Sequence, residues 1–160
     1  MRIHHHRAAV AWTGNSGSGT ASYSSYSRDH EVRVADRPPI LGSSDPAFRG
    51  DPSRYSPEEL LVSAISACHM LWYLHLCASS GLTVTAYTDD AVGEMAEHSD
   101  GSGEFQRVTL HPRVELAGSE DLDLAVGLHH QAHRLCFIAR SLNFEVLGQP
   151  EVTFRRGAER

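Results

Sequence analysis

Between Leu60 and Tyr87 the chain carries no Asp, Glu, Lys or Arg, and this charge-free run narrows the possible folds more than any other stretch. Its first part, Ser56 to Gly81, reads SPEELLVSAISACHMLWYLHLCASSG. Ser56 suits a helix N-cap, Pro57 the first helical position, and Glu59, three residues after the cap, completes a capping box. Ser79-Ser80-Gly81 offers the stop. In between, Leu60, Leu61, Val62, Ile65, Met70, Leu71, Trp72, Leu74 and Leu76 leave little polar face. A helix that is apolar all round is either buried on every side or in a membrane. Its length lies within the roughly 17–25 residues that span a bilayer. Against a span stand Ser63, Ser66, His69 and His75 within the run, no basic cluster beside it, and no second hydrophobic segment. With a mean hydropathy of −0.32 for the chain, the run predicts a central helix in a soluble core. Cys68 then falls in its driest part.

A length of 160 residues suits a single domain spanning 1–160, long enough for a sizeable core. The net charge is −6, and the basic residues are scattered, which argues against nucleic acid or an anionic membrane surface as partner. All 14 basic residues are arginine. The absence of lysine excludes Schiff-base chemistry and a Walker-type phosphate lysine. Three cysteines, Cys68, Cys77 and Cys136, with no signal-peptide pattern and no CxxC, predict a reducing, cytoplasmic setting with neither a zinc ribbon nor a thioredoxin motif. His4-His5-His6 is assigned no chemistry.

Along the chain, alternation over 7–12 predicts a half-buried strand. Gly14 to Gly19 predicts a turn or loop, and Tyr23, Tyr26, His30, Val32 and Val34 one or two further strands of a meander. Residues 36–55 carry prolines, glycines and aspartates with little periodicity and predict a long connection. After the helix, alternation resumes from Leu82 and runs towards Met95, and His98 to Gly103 is a turn. Val108, Leu110, Val114 and Leu116 keep period 2 through Pro112, which predicts an edge strand or a bulge. Ser119 is a candidate N-cap, with Glu120 and Asp121 in the first turn of an amphipathic helix that runs to Ala139 and holds Cys136 on its apolar face. Phe144, Val146, Val152 and Phe154 predict a last strand interrupted at Gly148–Pro150, and the tail from Arg155 is expected to be loose. The class is α+β.

Several residues admit a chemical and a structural reading. Cys68 and Cys136 come from the two main helices, and each is a small buried hydrophobe or a reactive thiol. Cys77 reads as core. Glu58 suits a helix's first turn, yet Glu59 already fills the capping box, which leaves Glu58 for another partner. His69, His75, His129, His130 and His133 read as hydrogen-bonded or partly exposed histidines. Cys68, His69, His133 and Cys136 have no spacing diagnostic of a metal site, and no metal is expected.

SPEELLVSAISACHMLWYL (56–74) resembles the central-helix signature of the OsmC/Ohr family, the osmotically inducible and organic-hydroperoxide-resistance proteins. In that family a Pro-Glu motif precedes the reactive cysteine by a fixed interval, which matches Glu58 and Cys68 here. HHQAHRLCFIARSLNFEV (129–146) is similar to the family's second cysteine helix and places the partner at Cys136. SRDH (27–30) resembles its N-terminal Arg-Asp turn and places its arginine at Arg28. AFRGDPSRYSPEEL (47–60) is similar as well. One departure is Phe137, where the organic-hydroperoxide branch usually has proline after the second cysteine, so the chain stands nearer the broader OsmC-like branch.

The resemblance implies an OsmC-like fold, with antiparallel sheets around a long buried central helix and two chains interlocked as a homodimer. It implies a thiol peroxidase of organic hydroperoxides, extending to hydrogen peroxide. Cys68 is then peroxidatic, Cys136 resolving, and Arg28 and Glu58 activating; no cofactor is implied beyond an external dithiol reductant such as a lipoyl group. Two alternatives compete: a cysteine hydrolase with a base such as His133, and a non-catalytic OsmC-like protein that binds an apolar ligand or a metal.

Overall fold

The computed structural model describes residues 1–118 and 121–155. The chain divides into two compact units, Met1–Leu60 and the part from Leu61 onwards.

The first unit is a small antiparallel sheet in the order β1 (Ala9–Trp12), β2 (His30–Arg33) and β3 (Ile40–Gly42). Trp12 pairs with His30, and His30 with Gly42. Three expectations change here. Tyr23 and Tyr26 lie outside the strands. Side chains satisfy the backbone of that segment in place of a ladder: Asn15 Oδ1 accepts from Gly17 N and Gly19 N, and Ser25 Oγ donates to Gly19 O. The stretch 36–55, expected as a long connection, contributes β3 and a 3-10 turn, Pro46–Phe48, capped by Asp45. Asp29 ties this segment down, accepting from Ser43 Oγ at 3.2 Å and pairing with Arg54 at 3.6 Å. All four side chains of β1 are exposed in the single chain, where a half-buried strand was expected.

The helix α1 runs from Pro57 to Ser79. Its capping box forms as the sequence requires: Ser56 N donates to Glu59 Oε2 at 2.8 Å, and Glu59 N to Ser56 Oγ at 3.2 Å. At the other end Gly81, with φ +79°, takes the left-handed cap position, and Leu82 N donates to Cys77 O.

Three long strands follow, and each is broken at the same level. β4 (Val84–Asp89) continues as β5 (Val92–Glu97), β6 (Gly103–Leu110) as β7 (Pro112–Leu116), and β8 (Glu145–Gly148) as β9 (Glu151–Phe154). The breaks give two sheets, β4-β7-β9 and β5-β6-β8. The first two long strands form an antiparallel hairpin around the expected turn, where His98 N donates to Ser102 O. The third runs parallel to the second, so the sheets are mixed and not antiparallel throughout. Pro112 starts β7 at the break, where its missing N–H costs no ladder bond, so β6 and β7 are the middle strands of their sheets and not an edge. Asp89 holds the break together: Oδ1 accepts from His111 N at 2.7 Å, and Oδ2 from Ser66 Oγ of α1 at 2.5 Å.

The second helix, α2, spans Leu122–Leu135 and is capped by Asp121, whose carboxylate accepts from Leu124 N at 3.0 Å. Ser119 and Glu120, expected at this cap, lie outside the described residues, as does the tail beyond Arg155. The helix ends before Cys136, four residues short of the expected Ala139. Two apolar clusters form. Tyr73, Leu76 and Cys77 of α1 pack with Val114, Leu116, Ala125, Leu128 and Ala132, and Ile65 packs with Val108, Leu110 and Val146.

Among the described helices, α1 is the one long and apolar enough to cross a membrane. In the single chain only one stripe of it is buried: Ile65, His69, Tyr73, Leu76 and Cys77. The opposite stripe, with Ala64, Ala67, Leu71 and His75, is exposed, Leu71 by 63%. Burial on every side is not reached within one chain.

Candidate functional site

The two cysteines of interest meet where α1 passes the end of α2. Cys68 projects from the middle of α1 and is half-buried, not dry as expected. Cys136 is fully buried as the C-cap of α2, its N–H donating to Ala132 O at 2.9 Å. Burial pushes the Cys136 thiol up to about 11, and the Cys68 thiol beside it adds to the rise. Ala139 N donates to Cys136 Sγ at 3.4 Å. Cys77 is buried elsewhere, beside Tyr73, and burial raises its thiol as well.

Cys68 opens into an apolar groove of about 650 Å³, bounded on α1 by Ala64, Leu71, Trp72 and His75 and after α2 by Phe137 and Ile138. Trp72 meets Phe137 edge to face, with ring centroids 5.6 Å apart, and His75 in the same way at 5.8 Å. Phe137 is 70% exposed in the single chain. The groove was not foreseen, although its α1 wall was legible: Ala64, Cys68, Leu71 and His75 follow at four-, three- and four-residue spacing, one face of a helix.

The other two expected residues lie in the first unit. Arg28 donates from Nη1 to Tyr26 O at 2.7 Å and from Nη2 to Tyr23 O at 2.9 Å. Its guanidinium sits over both tyrosine rings, 4.2 Å from the Tyr26 centroid and 4.3 Å from that of Tyr23. Glu58 Oε2 is buried without a hydrogen-bond partner. Arg28 and Glu58, expected to pair, are therefore found with the guanidinium engaged by the tyrosines and one carboxylate oxygen of Glu58 without a hydrogen bond.

Two of the histidines expected to be hydrogen-bonded or partly exposed are buried and hydrogen-bonded to each other. His69 of α1 and His129 of α2 are 3% and 4% exposed, and His69 Nε2 lies 3.0 Å from His129 Nδ1. Burial lowers His69 to about 4 and His129 to about 3, so both rings are neutral near pH 7. A smaller cavity of about 250 Å³ adjoins them, lined also by His130 and His133. His133 faces this cavity and does not line the Cys68 groove, whose histidine is His75, so Cys68 and His133 are not brought together as a dyad. Among the described residues no three His, Cys, Asp or Glu side chains are gathered as a metal site.

The family model described as OsmC-like protein matches residues 50–147, from the segment before α1 to β8. An OsmC-like protein of unknown function from Vibrio cholerae O1 biovar eltor is 33% identical, with 93% of this chain and 100% of that one covered at a TM-score of 0.83. Organic hydroperoxide resistance proteins from Elizabethkingia anophelis and Legionella pneumophila share the fold at 15% and 14% identity, with TM-scores of 0.69 for both. Each covers 96% of this chain and 99% of its own. No curated protein matches the sequence. With a family model over more than half the chain and a close structural counterpart along nearly all of it, this chain belongs to the OsmC-like proteins.

Proposed function

We propose that the protein is a cysteine peroxidase that reduces organic hydroperoxides. The observation that carries this reading is the asymmetry of two adjacent thiols. Cys68 opens onto an apolar groove, while Cys136 is wholly buried behind it as a neutral thiol. An apolar groove suits an alkyl or aryl hydroperoxide better than a small hydrophilic one.

The Cys68 thiolate attacks the distal peroxide oxygen, and the O–O bond breaks. The sulfur becomes a sulfenic acid, and the leaving alkoxide takes a proton to become the alcohol. The Cys136 sulfur then attacks the Cys68 sulfur, an S–S bond forms, and the hydroxyl leaves as water with the Cys136 proton. An external dithiol, lipoyl-type, restores both thiols and is itself oxidised to a disulfide. Arg28 supplies a fixed positive charge for the thiolate and the leaving oxygen, held by Glu58. Two of its five N–H donors go to tyrosine carbonyls, and the buried, unpartnered Glu58 Oε2 suits a guanidinium.

The working form is a homodimer. Leu71 and Phe137 stand far out of the single chain, and the apolar outer stripe of α1 needs cover. The cytoplasm suits the free thiols, and neither nucleic acid nor membrane is assigned as a partner.

One equivalent of cumene hydroperoxide should consume two thiols per chain and leave Cys77 titratable. Loss of no thiols, or of Cys77 together with the others, refutes the assignment.

A further inference from the structure

α1 carries Cys68 and α2 ends at Cys136, and among the described residues the side-chain hydrogen bond that joins the two helices is one between buried rings. His69 follows Cys68 directly in α1, and His129 precedes Cys136 by seven residues, about two turns on the same side of α2. The His129 ring stacks on Tyr73 at 3.7 Å and 14°, and its Nδ1 meets His69 Nε2 at 3.0 Å. His69 and Tyr73 are four apart and share one face of α1. His129 is therefore docked onto two adjacent side chains of the helix that presents Cys68.

The pair is a costly way to fill space. A hydrogen bond between two neutral imidazoles uses one N–H and one lone pair. Whichever ring donates, the far nitrogens, Nδ1 of His69 and Nε2 of His129, hold the remaining N–H and lone pair, and both are buried without partners. Two apolar side chains would fill the same volume with no orphaned polar atoms. What an apolar contact lacks is direction. The buried face of α2 is Ala125, Leu128 and Ala132 beside His129, with Leu135 packed half-buried at its end, so apart from the histidine the face is keyed by two leucines among small residues. The hydrogen bond supplies the direction.

We infer that His69 and His129 are positioning residues, whose hydrogen bond holds α2 in the register that keeps Cys136 against Cys68. The inference rests on the reading of these cysteines as a redox pair. The step it serves is the attack of the Cys136 sulfur on the Cys68 sulfenic acid, in which S–S forms, S–O breaks and water leaves. Intramolecular steps of this kind lose about 10²-fold for a displacement of about 1 Å.

The test compares His69→Leu/His129→Leu, which deletes the bond, with His69→Gln/His129→Asn, which places amide groups where the ring nitrogens Nε2 and Nδ1 stand. Two quantities are measured: the equilibrium constant of the Cys68–Cys136 disulfide against dithiothreitol, and capture of the Cys68 sulfenic acid by dimedone after one equivalent of cumene hydroperoxide. The leucine pair is expected to lower the constant at least tenfold, about 30 mV, and to raise dimedone capture from a trace to the main product. Its thermal midpoint should be no lower than that of the wild type, because the orphaned nitrogens are gone; a merely structural pair would behave the opposite way. The amide pair should stay within about threefold of wild type.

A leucine pair with the wild-type constant and wild-type capture overturns the inference, as does an amide pair that falls as far as the leucine pair. If the leucine pair does not fold, His129→Phe keeps the stack on Tyr73, deletes the bond and gives the same readings. A wild type that forms the disulfide with oxidised dithiothreitol but not with peroxide overturns the peroxidase reading, while the equilibrium still decides on the clamp. A wild type that forms it with neither overturns both.

Discussion

The buried imidazoles make stability fall with acid in a window where carboxylates contribute little. In the unfolded chain a histidine titrates near 6.5. In the fold, burial lowers His69 to about 4 and His129 to about 3, although Asp89 pulls the first upwards, His133 lowers His69 further, and His69 and His130 lower His129. The native rings therefore stay neutral while the unfolded ones take up protons. Because the unfolded state binds more protons, stability rises with pH across the interval and is lost as pH drops from about 6.5 towards 4. Two groups give a limiting slope of about 2.7 kcal/mol per pH unit, or about 2 kcal/mol between pH 6 and pH 5, where the unfolded rings are mostly charged. The assay is urea unfolding at fixed protein concentration, at pH 7, 6 and 5, for the wild type and His69→Leu/His129→Leu. The carboxylates and remaining histidines are common to both proteins and cancel in the difference. The wild type should lose about 2 kcal/mol more than the variant between pH 6 and pH 5. Parallel losses would show that the two rings are not buried and neutral, and the argument from desolvation would fail.

Other expectations follow from the same structure. Sedimentation at low micromolar concentration should show twice the 17.6 kDa chain mass; a folded monomer would refute the dimer. Cys136→Ser should consume peroxide once and then stall or over-oxidise, whereas Cys68→Ser should not react at all; turnover by Cys68→Ser would reverse the roles. Arg28→Lys should consume peroxide markedly more slowly than the wild type and Arg28→Ala more slowly still, with the oligomer intact in both; wild-type rates would assign the charge to another cation. Ile65→Ala, at a fully buried position between α1 and the β5-β6-β8 sheet, should cost about 2–5 kcal/mol in urea unfolding.

The parts legible in the sequence are those set by local chemistry. The capping box at Ser56 and Glu59, the Gly81 stop, the turn at His98–Gly103 and the amphipathic face of α2 all depend on residues within a few positions of one another. What was not legible depends on distant partners. Nothing near Glu145 or Glu151 announces that β8 and β9 run parallel to β6 and β7. The break at Asp89 and Pro112 looks locally like one irregular strand, because the bonds that hold it, from His111 and Ser66 to Asp89, join residues more than 20 positions apart. Cys68 stands on the helix expected for it, whereas Cys136 stands one residue past the end of α2, and the groove beside Cys68 needs Phe137, which the helical pattern assigned to the same helix. His69 and His129 stand 60 positions apart, and no periodicity links them.

The Asp89 carboxylate has a further consequence for α1. A helix that is apolar all round has no side it must turn inwards, so hydrophobicity alone leaves its rotation about its own axis undetermined. The Ser66 hydroxyl, held by Asp89 Oδ2, removes that freedom by tying one azimuth of the helix to the sheet. Two residues along an α-helix is a rotation of about 200°. Cys68 stands that far round the helix from Ser66, so the hydroxyl two positions earlier joins the buried Ile65 and the His69–His129 contact in setting which way the sulfur points.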